Sequence, residues 1–374
     1  MEKNEIIRWL REYDGRPVKI MEVCGTHTSA LYKTGLRQIL SPKIQLLSGP
    51  GCPVCVTPTA YIDKLVEISF RSGHRVLAFG DMLAVPGTEM SLAEARDRGA
   101  SVDFFYNPED ALKKAEGEKE TIFVLAAVGF ETTAPVWATV VKEADERHIS
   151  NLKLLTALKT MPETLRELCT AGNIDGFLCP GHVAVITGAE RYRALSETYG
   201  KPMVIGGFTA DLLLSAVARL VLAVNKGQGG FWNDYGSVVT EEGNVKAWER
   251  VEAFFEKGDA LWRGLGVVKN SGFYLKEKYN LYDAGSRGLV KDHIPAGCRC
   301  GNILLGKNMP RDCPHFGRTC TPSHPVGACM VSSEGACCIT LREEGVRDCE
   351  NYVKAWKRRR GKRKTDQRYF RFRF

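Results

Sequence analysis

Apolar and polar positions along the chain fall into two regimes. Short apolar runs at 17–23, 44–48, 75–79, 101–105, 121–128, 152–157, 176–179 and 202–206 alternate with amphipathic stretches at 59–70, 91–98, 133–146, 163–171 and 209–225. The runs predict strands and the stretches predict helices. Strands separated by helices of this length need crossover connections, so the pattern predicts an α/β protein with two parallel-sheet lobes covered on both faces. The charged stretch around 141–150 is the expected junction. After residue 265 the alternation stops, and Gly, Pro, Cys and His become dense. Such a segment cannot bury enough apolar surface by itself, and a metal centre is the natural means of holding it. The expected organisation is an N-terminal segment over 1–40, α/β domains over 41–148 and 149–264, a Cys-rich domain over 265–353 and a tail over 354–374.

The chemically unusual residues follow the predicted strands. Cys24-Gly25-Thr26-His27 follows the run ending at Val23, and Gly49-Pro50-Gly51-Cys52-Pro53-Val54-Cys55 follows Ile44 to Leu47. Gly80-Asp81, Gly129-Phe130-Glu131, Cys179-Pro180-Gly181-His182 and Gly206-Gly207-Phe208 each follow another run. Loops after parallel strands share one sheet edge, where ligands bind. His27, Asp81, Glu131 and His182 are therefore candidates to orient a ligand or handle protons, with helix capping as the plain alternative for Asp81 and Glu131. Asp211 reads as a cap. There is no G-x-x-x-x-G-K-[ST] and no G-x-G-x-x-G, so nucleotide binding is unsupported.

Cysteine changes the picture most. Of thirteen, eight lie between 298 and 349, and Cys52 and Cys55 form a C-x-x-C. Clustering of this kind points to metal binding or redox chemistry. An iron–sulfur cluster needs four thiolates. Two tetrads share Cys313, Cys320 and Cys337, one beginning at Cys298 (C-x14-C-x6-C-x16-C) and the other at Cys300. Structural zinc is the rival, since His315 and His324 lie nearby. The Cys52/Cys55 pair, placed before a helix, is expected to gain thiolate stability from the helix N-terminus and to cycle between dithiol and disulfide or bind metal. Cys169 and Cys338 read as packing residues.

Charge adds one restriction. The formal net charge is +8, but residues 354–374 hold eleven Lys or Arg against Asp366, which leaves the first 353 residues at −2. The basic character belongs to a tail, read as a solvated end, and the near-neutral body argues against specific nucleic-acid binding. The longest apolar candidate, Leu212 to Val224, is interrupted by Arg219 and is too short to cross a bilayer. The N-terminus lacks a signal-peptide plan, and a cytoplasmic protein, monomeric by itself, is the expectation.

Cys24 to His27, Gly49 to Pro58, Gly129 to Pro135, Pro180 to Val183 and the run Cys298 to Cys337 together resemble the HypD family, the iron–sulfur proteins of [NiFe]-hydrogenase maturation. The resemblance covers about residues 4–345. It implies two similar α/β domains plus a domain built on a [4Fe-4S] cluster, against which the N-terminal segment packs. It implies Cys298, Cys313, Cys320 and Cys337 as cluster ligands and Cys300/Cys329 as a second thiol pair. Family members work with a HypC chaperone as the scaffold for an Fe(CN)2CO fragment, with cyanide arriving from a thiocyanate on HypE. Cys24 would be the thiolate that holds this iron. Cys300/Cys329 and Cys52/Cys55 would form an electron relay toward it. The expected role is an assembly scaffold with redox activity rather than a conventional turnover enzyme. The alternative is a stand-alone cluster-dependent thiol–disulfide reductase, and a third reading is a zinc-stabilised nucleic-acid binder.

Overall fold

The structure is a computed structural model that describes residues 2–343; Cys349 and the basic tail lie outside the described residues. Among the described residues eleven strands occur in chain order: β1 (Val18–Glu22), β2 (Ile44–Ser48), β3 (His74–Ala78), β4 (Val102–Phe104), β5 (Ile122–Gly129), β6 (Leu152–Lys159), β7 (Gly176–Cys179), β8 (Met203–Ile205), β9 (Phe231–Asn233), β10 (Phe255–Trp262) and β11 (Gly266–Leu275). They form two sheets, one of order β2-β1-β7-β8-β9 and one of order β10-β11-β6-β5-β3-β4. The first is parallel throughout. The second is parallel from β6 to β4 and gains an antiparallel hairpin, β10/β11, at β6.

The α/β class follows from the strands themselves. The sequence of β5, Ile-Phe-Val-Leu-Ala-Ala-Val-Gly, is apolar at successive positions rather than at alternate ones, and it is buried along nearly its whole length. That is the signature of a strand covered on both faces. Its neighbour β6 is buried in the same way. The helix Ala134–Glu146 that follows β5 starts with Pro135 in its first turn, where a missing N–H costs nothing. A capping box sets the start of Leu92–Asp97: the Glu94 N–H donates to Ser91 Oγ at 3.3 Å and the Ser91 N–H donates to Glu94 Oε2 at 2.7 Å.

All eight expected strands form, but the sheets cross the expected divisions at 40/41 and 148/149. Strands β1 and β2 pair with the β7–β9 group, and β6 pairs with β5. Apolar runs identify strands without naming their partners. Buried on both faces, β1 needs a neighbour on each side and takes β2 and β7. The end of the alternation at 265 is likewise not the end of a sheet, because β11 begins at Gly266. At the expected cap Asp211, Thr209 is the N-cap instead, accepting from the Leu212 N–H at 3.4 Å, while Asp211 pairs with Lys3.

The Cys-rich segment does not stand alone. Cys300, Ile303, Leu304, Cys313, Cys320, Cys329 and Cys337 share one apolar core with Met21, Leu47, Cys52, Cys55 and Trp262. The helix Gly25–Lys33 lies against the helix Ala336–Glu343, with Tyr32 Oη 3.3 Å from Thr340 Oγ1 and Arg342 donating to Ser29 Oγ at 3.2 Å. Among the described residues, no helix is long and apolar enough to cross a membrane.

Candidate metal centre

Six cysteines line one cavity: Cys298, Cys300, Cys313, Cys320, Cys329 and Cys337. Turns and short helices bring them there, with Cys300, Cys329 and Cys337 each on a different helical segment, which is why their spacing carries no simple period. Gly327 packs against this wall so closely that a Cβ would lie 2.9 Å from Cys298 Sγ. The Val326 N–H donates to Cys320 Sγ at 3.3 Å. Burial pushes the Cys320 and Cys337 thiols up, so a metal that takes the thiolate form would relieve their desolvation.

The zinc alternative fares less well on donor geometry. His315 reaches the cavity wall, but its Nδ1 is 2.7 Å from Thr319 Oγ1 and its Nε2 is 2.9 Å from Ala296 O. Both ring nitrogens are therefore engaged. His324 is exposed and holds Ser323 Oγ at 3.2 Å. Among the described residues, no three His, Cys, Asp or Glu side chains converge as the ligands of a single ion would. Thiols spread around a cavity suit a polynuclear centre, and the Cys-rich region is compatible with iron–sulfur binding.

The thiols continue past the cavity. Cys300 Sγ and Cys329 Sγ are 2.7 Å apart. Cys55 Sγ donates to Ala328 O at 3.9 Å, beside Cys329, and the neighbouring Cys300 and Cys55 thiols hold Cys329 below the usual thiol range. The Cys55 N–H donates to Cys52 Sγ at 3.3 Å. All four residues are buried. One expectation changes here. The Cys52/Cys55 pair sits in a turn and the next helix starts only at Thr59, so no helix end holds the Cys55 thiol down; burial pushes it up instead.

Cys24 is the N-cap residue of the helix Gly25–Lys33. Burial raises its thiol to about 11, opposed by the N–H groups of His27 and Thr26. Its backbone lies directly on the loop that carries Cys52. The Gly25 N–H donates to Gly51 O at 3.3 Å, and a Cβ on Gly51 would fall 2.4 Å from Cys24 N and 2.5 Å from Cys24 Cα. Gly51→Ala should therefore force the two loops apart at a cost of ~1–3 kcal/mol, seen as a lower midpoint of thermal unfolding; an unchanged midpoint would refute the close approach.

Several sequence candidates gather around this loop. His27 Nε2 donates to Gly206 O at 3.0 Å, and its ring stacks on Phe208 at 4.5 Å. Phe208 in turn stacks on His182 at 4.1 Å. Burial lowers His27 to about 4, and its Nδ1 is buried without a partner. Asp81 opens the short helix Gly80–Leu83 and its charge is felt by Glu334, whose carboxyl burial pushes up. Glu334 accepts from Thr26 Oγ1 at 3.1 Å and its backbone crowds Gly25. Sequence reasoning missed Glu334; its signal was an acid three residues before Cys337 in an otherwise small-residue turn. Glu131 faces elsewhere. Its Oε1 accepts the Met161 N–H at 2.8 Å, so it caps the helix Met161–Thr170 rather than the helix that follows it in sequence.

Comparison with known proteins gives the family of the chain. The family model described as HypD, hydrogenase formation hypA family, matches residues 3–344. A putative hydrogenase expression/formation protein of Methanocaldococcus jannaschii is 41% identical over 86% of this chain and 91% of its own length. The hydrogenase maturation factor HypD of Escherichia coli is 41% identical over 86% of this chain and 88% of its own. That of Rhodobacter capsulatus is 37% identical over 90% and 92%. With the match running through both sheets and the Cys-rich segment, this chain belongs to the HypD family of hydrogenase maturation factors.

Proposed function

We propose that this protein, with a HypC-like chaperone, forms the cytoplasmic scaffold on which the Fe(CN)2CO fragment of a [NiFe]-hydrogenase is assembled, with a HypE-like thiocyanate as cyanide donor. One observation carries the reading. The cysteine-lined cavity and the Cys52/Cys55 pair are joined through Cys329, and Cys24 lies against the loop that carries Cys52.

In this reading Cys298, Cys313, Cys320 and Cys337 would hold a [4Fe-4S] cluster, which when bound supplies electrons one at a time. The rest is thiol chemistry of the chain itself. From a Cys52–Cys55 disulfide, the Cys329 thiolate attacks Cys55 Sγ, and Cys52 leaves as a thiolate. Cys300 then attacks Cys329 and expels Cys55. Cys300/Cys329 ends oxidised and Cys52/Cys55 reduced, so two electrons have moved toward Cys24. Two electrons are what a thiocyanate needs to release cyanide and leave a thiolate. Cys24 binds the iron under construction, because a soft thiolate suits low-spin iron with cyanide and carbonyl ligands. His27, Asp81 and His182 position ligands or partner residues around it.

The test is Cys52→Ala, purified anaerobically with its HypC-like partner. The variant should keep its iron, sulfide and partner yet show no infrared bands of iron-bound cyanide. Normal cyanide bands would remove Cys52 from the pathway.

A further inference from the structure

Strand β6 ends in a lysine that does not reach water. Lys159 is 3% exposed, although a long cationic side chain ordinarily carries its head to the surface. Side chains alternate along a strand, so Lys159 shares a face of β6 with Leu155 and Ala157. Those two pack with Tyr61 and Leu289, whereas Leu154 and Leu158 belong to the core on the opposite face. A cavity of about 20 Å³ lies on the Lys159 face, lined by Tyr61, Ala157, Lys159, Leu261, Ser286 and Leu289 among others. It has room for one or two waters, or for a molecule of about two or three heavy atoms. It shares no lining residue with the cysteine-lined cavity.

The amine is held without an acid beside it. Lys159 Nζ donates to Leu261 O, a group of the cavity wall, at 2.6 Å and lies 5.3 Å from the centre of the Trp262 ring. The acid whose charge it feels is Asp292, and that carboxylate is engaged elsewhere. Asp292 accepts from the Thr59 N–H at 3.2 Å and the Gly264 N–H at 3.0 Å, and Arg263 Nε lies 4.0 Å from it. The other ionisable groups on the cavity wall are the phenols of Tyr61 and Tyr274, and Tyr61 Oη donates to Leu155 O at 2.7 Å. A buried ammonium without a carboxylate in contact is costly, and losing its proton removes that cost. Burial accordingly lowers Lys159 to about 7. An unprotonated amine beside a cavity is a nucleophile.

We propose that Lys159 is a covalent binding site for a small uncharged aldehyde, held as an imine in the cavity beside Tyr61 and Leu289. The step needs no further reactant. The Nζ lone pair attacks the carbonyl carbon and a C–N bond forms. The C–O bond then breaks with its electron pair on oxygen, which leaves as water with the two amine protons while the second C–N bond closes. The walls set the class: Ala157, Leu261 and Leu289 give a charged electrophile nothing to pair with, and the volume excludes a ring.

Reductive trapping on the native full-length protein tests the site. Protein at pH 7 is given acetaldehyde with cyanoborohydride, digested and read by mass spectrometry. At this pH about half of a lysine that titrates near 7 is unprotonated, against about one part in a few thousand for an ordinary lysine. Even with restricted access, Lys159 should be labelled at least about tenfold faster than the exposed Lys119 and Lys246. Benzaldehyde should label those two and spare Lys159, and unfolding in urea should abolish the preference for Lys159. Labelling of Lys159 no faster than of Lys119 and Lys246, or as readily by benzaldehyde as by acetaldehyde, overturns the proposal. Neither result depends on iron, so failure of the cluster reading leaves this test standing.

Discussion

Cys320→Ala should strip the protein of essentially all bound iron and sulfide, whereas Cys300→Ala should leave both in place. The two cysteines line the same cavity, so the contrast comes from what each sulfur already does. Cys320 Sγ accepts a backbone N–H from Val326, and amides aimed at sulfur are the usual support of a cluster thiolate. Cys300 Sγ is instead 2.7 Å from Cys329, the position of a redox pair. Because both candidate tetrads contain Cys320, Cys298→Ala is the decisive companion. It should lose the cluster as Cys320→Ala does. Metal analysis and the visible absorption of anaerobic protein read all three variants. A colourless Cys300→Ala beside a brown Cys298→Ala would move the ligand set to the tetrad that begins at Cys300. Losing the cluster should also loosen the fold, since Cys313, Cys320 and Cys337 pack in the same core as Met21 and Trp262.

Particular residues show what could be read from the chain alone. The apolar run of β5 declares a doubly covered strand because every position along it meets the same demand. The loops of Cys24, Cys52 and His182 announce themselves by thiol and imidazole chemistry after such runs. Pairing is different, because it depends on partners more than a hundred residues away: nothing within Ile44–Ser48 says that its sheet is completed by Gly176–Cys179. The hairpin was illegible for a local reason. Lys257, Gly258 and Asp259 interrupt β10, and Asn270 with Ser271 and Gly272 interrupts β11, so neither shows a clean alternation. The turn of that hairpin was hidden for the same reason, since its Arg263 reads as a solvated charge although it is buried. Glu334 left only the faint signal of an acid near Cys337, because its importance lies in a contact with Thr26, 308 residues away.

Glu131→Gln should change how stability depends on pH, by an amount large enough to measure easily. The carboxyl is fully buried and burial raises it from 4.5 to about 8, with the nearby Glu163 adding to the rise. Only Oε1 is bonded, to the Met161 N–H; Oε2 is buried with no partner. A group whose pKa rises on folding holds its proton more tightly in the native state. Its stabilising effect is complete below the unfolded value and is lost as pH climbs through the folded one. Between about pH 4.5 and pH 8 this removes about 1.4 kcal/mol per pH unit, reaching ~4–5 kcal/mol at the upper end. Glutamine keeps an oxygen for the Met161 N–H and carries no proton to lose. The variant should match the parent near pH 5 and be several kcal/mol more stable at pH 8. His27, lowered to about 4, and Lys159, lowered to about 7, act with the opposite sign, making stability rise with pH over their own ranges. Both are present in parent and variant, so the difference between the two urea-unfolding curves isolates Glu131. Parallel pH profiles would mean that Glu131 is already ionised in the native protein, and its buried Oε2 would then need a cationic partner.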